Sequence, residues 1–175
     1  PVMTTGCAPS VPLIEDDHLL AAEQLRLRMQ RAEVEPALLL ADLRDVFLGT
    51  PEAYGKSIVM AVHPLSPSIE TDPSLLTRVL GTLLKNALEA SGFGDVVTVR
   101  QRTDARGASF AIDNPAVMTQ AQRIQIFSRQ PSPVPPRRGL GTYAARIVAE
   151  RALGGTLRFG SNLETGTVFL LELPQ

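Results

Sequence analysis

The 175-residue chain is poor in several kinds of residue, and each scarcity removes a class of function. A single cysteine, Cys7, excludes an intramolecular disulfide framework and a multi-cysteine zinc site. It fits a reducing, cytoplasmic compartment. A net charge of −1 gives no electrostatic reason to expect nucleic acid or an anionic membrane surface as partner. No apolar run approaches the length of a membrane span. The opening PVMTTGCAPSVP has no basic-then-apolar leader pattern. It also has no initiator methionine, so a processed chain or a piece of a longer one is expected. Internal repeats are absent. So are the glycine-lysine phosphate loop and the HRD motif of protein kinases. What remains is a globular composition, 44% hydrophobic with a mean hydropathy of +0.07.

Residues 1–16 are rich in Pro, Ser and Thr and read as a loose segment. Ala22, Leu25, Met29 and Ala32 fall three and four apart, which predicts a helix over 17–32 with Arg26, Arg28 and Arg31 on its other sides. Pro36 opens a second helix and Gly49 closes it, with Leu39, Leu43, Val46 and Phe47 buried. SIVMAV, 57–62, reads as a strand, with 67–71 as its short partner. Asp72-Pro73 is a strong helix start: the aspartate caps, and the proline sits where no donor is needed. Leu76, Val79, Leu80, Leu83, Leu84, Ala87 and Leu88 then point inward, and Gly92 stops the helix. VVTVRQR and ASFAID follow as strands around a turn at 104–107. Thr119 and Gln122 carry the capping-box pattern for a short helix to about Phe127. SRQPSPVPPRR, 128–138, has four prolines and no regular structure. Helix 139–153 and two closing strands, 156–160 and 167–173, complete the chain. Hairpins dominate the strand connections. The fold class is therefore α/β (α+β): a two-layer sandwich, its mixed and mostly antiparallel sheet covered on one face by helices, with an N-terminal helix added.

Four local features could carry chemistry. In LLKNALEAS, Thr82, Asn86 and Glu89 form a stripe beside the buried leucines. An asparagine amide there either bonds a neighbouring loop or offers its carbonyl oxygen to magnesium. Asp113 ends an apolar strand: a turn former, or an acceptor for a ligand amino group. RRGLGTYAARIV joins Arg137, Arg138 and two glycines to a new helix. This is a tight turn, or a backbone cradle for an anion at the helix dipole. Gly166-Thr167 entering the last strand is an ordinary hairpin feature.

The order of these features resembles the Bergerat-fold ATP-binding domain of sensor histidine kinases, a fold shared with gyrase, heat-shock chaperones and mismatch-repair ATPases. Residues 35–174 are covered, and NALEA is closest to the nitrogen-regulation type, whose helix runs NLLKNALEA. The resemblance implies ATP and magnesium as cofactors. It makes Asn86 the magnesium-binding residue and Asp113 the acceptor for the adenine amino group. Ile126-Phe127 becomes the motif before a nucleotide lid at 128–138. Gly139, Leu140 and Gly141 with Arg138 lie at the phosphates, Thr167 lies near adenine, and Lys85 stands beside Asn86, either meeting phosphate or solvated. The implied activity is transfer of the γ-phosphoryl of Mg-ATP to a histidine. Residues 17–34 would be the tail of a helical dimerisation region and 35–175 the catalytic domain. The partners implied are a response regulator and an upstream dimerisation domain, in a homodimer. The phosphoacceptor is expected outside the chain, because His18 lacks the family's acid-then-proline context and His63 sits at a strand end.

The chain departs from the pattern in three places. Thr82 stands where Asn or Glu is usual. DNPAVM lacks the glycines of DNGPGI, as if one residue were deleted. Arg137 replaces the first glycine of GTGLGL. The alternative is a degenerate module that does not use ATP and acts as a phosphotransfer or response-regulator-docking partner. A chaperone-like ATPase is a further alternative, but that branch usually carries glutamate at the Thr82 position.

Overall fold

The computed structural model describes residues 11–14, 19–20, 22, 29–63, 66–129 and 140–174. In chain order these give β1 (Ala32–Val34), α1 (Pro36–Leu48), a 3-10 turn (Pro51–Ala53), β2 (Ser57–Ala61), β3 (Ile69–Thr71), α2 (Pro73–Ala90), β4 (Val96–Asp104), β5 (Gly107–Asn114), α3 (Gln120–Gln125), α4 (Leu140–Arg151), β6 (Thr156–Asn162) and β7 (Gly166–Pro174). The main sheet has the order β2-β4-β5-β7-β6. β2 runs parallel to β4, and the other three pairings are antiparallel. A parallel neighbour requires a crossover, and α2 supplies it.

Local chemistry explains the principal elements. The Asp72 carboxylate accepts from the Leu75 amide at 3.0 Å, and Pro73 occupies the first turn, so α2 starts where the chain can satisfy its free donors. All seven predicted inward residues of α2 are at most 1% exposed. Each leucine among them contributes about 1.5–3 kcal/mol by leaving water. They pack on Val97, Val99, Phe110, Ile112, Phe169 and Leu171, which form one face of the sheet, and on Ala145 and Val148 of α4. The Thr119 and Gln122 capping box is present on both sides, with the Gln122 side chain accepting from the Thr119 amide at 2.8 Å.

Two expectations are overturned. Residues 67–71 do not pair with β2; Ile69–Thr71 pairs antiparallel with Ala32–Val34 in a separate two-stranded sheet. β2 instead meets β4 on its one paired edge. The helix expected to run to Ala32 has ended by Met29, and 32–34 is extended. Pro36 forces Glu35 out of the helical region (φ −85°, ψ 109°), so the segment before α1 cannot join it as one helix. The Gln30 amide donates to Asp72 Oδ2 at 2.7 Å, which ties this segment to the start of α2.

Candidate functional site

Sheet register decides which candidate side chains meet. The link 91–95 joins the end of α2 directly to the start of β4, and Thr98 of β4 faces Asp113 of β5. The end of β5 and the start of β7, where Asn114 pairs with Thr167, therefore lie at the end of the sheet beside the C-terminal half of α2. Asn86 is on that half.

Asn86 is half-buried, and among the described residues its carboxamide has no hydrogen-bond partner. One turn earlier Thr82 is 8% exposed. Its hydroxyl donates to the Arg78 carbonyl at 2.8 Å and accepts the Ile14 amide at 3.2 Å. The same stripe meets α4: a Cβ on Gly141 would lie 3.3 Å from Thr82 Cγ2. The open amide of Asn86 thus lies on the side of α2 that faces the beginning of α4. Leu140 and Gly141 form that beginning and are exposed. Arg138 and Gly139 lie outside the described residues, as do Arg137, His18 and most of the proposed lid.

Lys85 is turned to other work. Its Nζ contacts Glu52 Oε1 and Glu89 Oε1, each at 2.6 Å. Burial alone would lower the lysine pKa, but the two carboxylates outweigh it and raise it. The Lys85 hydrogen bond holds the Glu52 carboxyl below its ordinary value. Lys85 therefore braces α2 against the Pro51–Ala53 turn.

Asp113 is not brought to Asn86. Along β5, Ala108, Phe110, Ile112 and Asn114 are buried, while Ser109, Ala111 and Asp113 alternate onto the other face. There Asp113 Oδ1 accepts from Arg100 at 2.6 Å. Its Oδ2 is buried and has no partner among the described residues. Burial pushes this carboxyl up, and Arg100 pulls it part of the way back. The residue on the helix-facing side is Asn114, 3% exposed, whose Nδ2 has no partner among the described residues. Thr167, opposite it, is fully committed: its hydroxyl donates to the Ala116 carbonyl at 2.7 Å and lies 2.9 Å from Ser161 Oγ. Ser161 Oγ also accepts the Met118 amide at 2.9 Å, so β6 and β7 hold the 115–118 loop in place.

Phe127 closes the far side. It packs edge-on against Phe159 and Phe169, with centroids 5.5 and 6.4 Å away, and Arg146 lies over its ring at 4.9 Å. The Thr142 hydroxyl donates to the Ile126 carbonyl, joining the first turn of α4 to the end of α3. No cluster of three or more His, Cys, Asp or Glu side chains suited to a metal exists among the described residues.

The sequence profile of the histidine kinase-, DNA gyrase B- and HSP90-like ATPases matches residues 71–175, more than half of the chain. The chain belongs to this ATPase family. Similar curated proteins include the sensor histidine kinase ZraS of Escherichia coli K12, 29% identical over 109 residues, covering 62% of this chain and 23% of that protein. ZraS of Klebsiella oxytoca is 32% identical over 120 residues, covering 67% and 26%. The chain thus spans about a quarter of the length of the curated relatives it matches. Among solved structures, the catalytic domain of histidine kinase ThkA superposes with a TM-score of 0.74 at 21% identity, covering 83% of this chain and 96% of that one. Acinetobacter baumannii histidine kinase AdeS gives 0.71 at 18%, covering 90% and 74%. These likenesses establish the two-layer Bergerat architecture that the motif order implied.

Within this ATPase family member, Asn114 is the buried polar residue at the end of β5 that sequence reasoning passed over. Matching by chemical type drew attention to the acid at 113. The alternation Ala108, Phe110, Ile112 points instead to position 114, because side chains on a strand share a face every second residue.

Proposed function

We propose that this chain is the ATP-binding catalytic domain of a two-component sensor histidine kinase. It would pass the γ-phosphoryl of Mg-ATP to a histidine on a dimerisation domain, and act with a response regulator in the cytoplasm as part of a homodimer. The observation that carries the reading is the half-buried Asn86 carboxamide, without a partner among the described residues, on the α2 stripe that faces the start of α4. Family membership and the likeness to the ThkA catalytic domain support it. A neighbouring structure is histidine kinase ThkA in complex with response regulator protein TrrA, which motivates the choice of partner. No helix among the described residues is long and apolar enough to cross a membrane.

The residues fit magnesium in donor type: Asn86 offers an amide oxygen of the kind a hard cation takes, leaving other positions to phosphate and water. When bound, the ion supplies charge neutralisation at the phosphates. The protein's own part is positioning. The opening turn of α4 carries the positive end of the helix dipole, which suits phosphate. Gly141 lets the start of α4 pack closely against Thr82. Transfer forms an N–P bond on the acceptor imidazole as the bond between the γ-phosphorus and the bridging oxygen breaks, and ADP leaves. Such chemistry depends mainly on alignment and needs few protein acids or bases. Thr82, already bonded to Arg78 and Ile14, orders α2 and does not take a proton.

Titration with a fluorescent ATP analogue, with and without magnesium, tests the reading. Micromolar binding that ADP competes away is expected. Asn86→Ala should remove the magnesium-dependent part of the affinity. Equal affinity of both proteins with magnesium present would refute the assignment of Asn86.

A further inference from the structure

We infer that Asn114 reads the base of the bound nucleotide, and that its carboxamide lets the pocket accept guanine as well as adenine nucleotides. This rests on the nucleotide-binding reading above and deepens it.

Three observations converge on Asn114. It is on the helix-facing side of β5, at the sheet end beside the half of α2 that carries Asn86. Its Nδ2 is buried without a partner among the described residues, and a buried donor in that condition is costly unless something arrives to accept from it. Its backbone is held from both sides. The Met118 amide donating to Ser161 Oγ and the Thr167 hydroxyl donating to the Ala116 carbonyl fix the loop that follows. Gly166 approaches so closely that a Cβ there would sit 2.2 Å from the Asn114 carbonyl oxygen. The amide therefore has a fixed base and a buried end that no described residue satisfies. Neither neighbour can take the role instead: the Thr167 hydroxyl is spent on Ala116 and Ser161, and Asp113 is on the other face with Arg100.

The chemistry of the group then sets selectivity. Adenine presents an amino donor beside a ring-nitrogen acceptor on its pairing edge. A carboxamide matches it with an oxygen acceptor beside an amino donor. Guanine presents the reverse, a carbonyl acceptor beside a ring N–H. The carboxamide matches that too, after a half-turn about its last torsion. A carboxylate accepts only, and placed opposite the adenine amino group it would repel the carbonyl that guanine puts at the same position. A pocket read by asparagine loses the discrimination that an acid imposes.

Competition binding with ATP and GTP against one fluorescent nucleotide tests this on the intact chain, with folding checked by circular dichroism. The wild type is expected to bind the two within about tenfold, and Asn114→Asp to move the ratio toward ATP by about tenfold or more. Asp113→Asn should leave the ratio where it was. Should Asn114→Asp fail to fold, Asn114→Ala replaces it. Loss of affinity for both nucleotides alike in folded Asn114→Ala supports base contact, whereas unchanged affinities with a lowered melting temperature mark a structural amide and overturn the inference. An unmoved ratio in folded Asn114→Asp, or one that follows Asp113→Asn, overturns it as well. If folded wild type binds neither nucleotide, the nucleotide-binding reading falls and takes the inference with it.

Discussion

Alanine at Gly166 would cost far more than alanine at Gly154, although both glycines have φ of +69°. Any L-residue in that left-handed region costs about 1–2 kcal/mol. At Gly154 nothing lies within 4 Å of the added Cβ, so the conformational term is the whole effect. At Gly166 the Cβ would lie 2.2 Å from the Asn114 carbonyl oxygen and 2.7 and 2.8 Å from Pro115 Cα and C. All three are backbone atoms of a segment pinned by Thr167 and Ser161, so relief requires β7 and β5 to separate. Overpacking of that kind adds about 1–3 kcal/mol. Gly154→Ala should therefore lose about 1–2 kcal/mol and Gly166→Ala about 2–5 kcal/mol. Urea denaturation reads both as midpoint shifts with unchanged slope. Gly166→Ala should also weaken nucleotide binding at temperatures where it stays folded, because the displaced atoms carry Asn114. Equal midpoint shifts for the two variants would refute the claim that close backbone approach, and not φ alone, is what Gly166 provides.

The Glu52–Lys85 pair makes a pH prediction. Lys85 lowers the folded pKa of Glu52 below its ordinary 4.5, so the stabilisation is fully present above about that pH and is lost as pH falls through the lowered value. The side chains are 28% and 29% exposed, so Glu52→Gln should cost about 0.5–1 kcal/mol at pH 7, and the gap to wild type should close on acidification below 4.5 in denaturation measurements. Asp113 has the opposite sign. Burial raises its folded pKa, so its charge opposes folding above the ordinary 3.8, and Asp113→Asn should narrow the stability loss of the wild type as pH rises from there. An Asp113→Asn protein with the same pH profile as wild type would contradict that. Leu84→Ala, at a fully buried position in the middle of α2, should cost about 2–5 kcal/mol by calorimetry or urea.

Much of the fold was legible because its determinants are local. The leucine spacing of α2, the Asp72-Pro73 start and the Thr119–Gln122 box each lie within one or two turns of chain, and each is present as read. The pairing of Ala32–Val34 with Ile69–Thr71 was not legible, because three-residue strands far apart in sequence carry no periodic signal. The Lys85–Glu52 contact was not legible for the same reason: Glu52 comes from a distant turn. The inward-facing residue at the end of β5 was readable in principle. Two-residue alternation marks Asn114 as inward, but its neighbour's charge was the louder signal.

The most direct measurement is a side-chain amide spectrum of the 15N-labelled chain as Mg-ADP is added. A nucleotide lodged between α2 and the end of β5 shifts the carboxamide resonances of Asn86 and Asn114 together and leaves Asn162, in the β6–β7 turn, unmoved. Saturable binding that leaves both Asn86 and Asn114 unshifted would contradict the site.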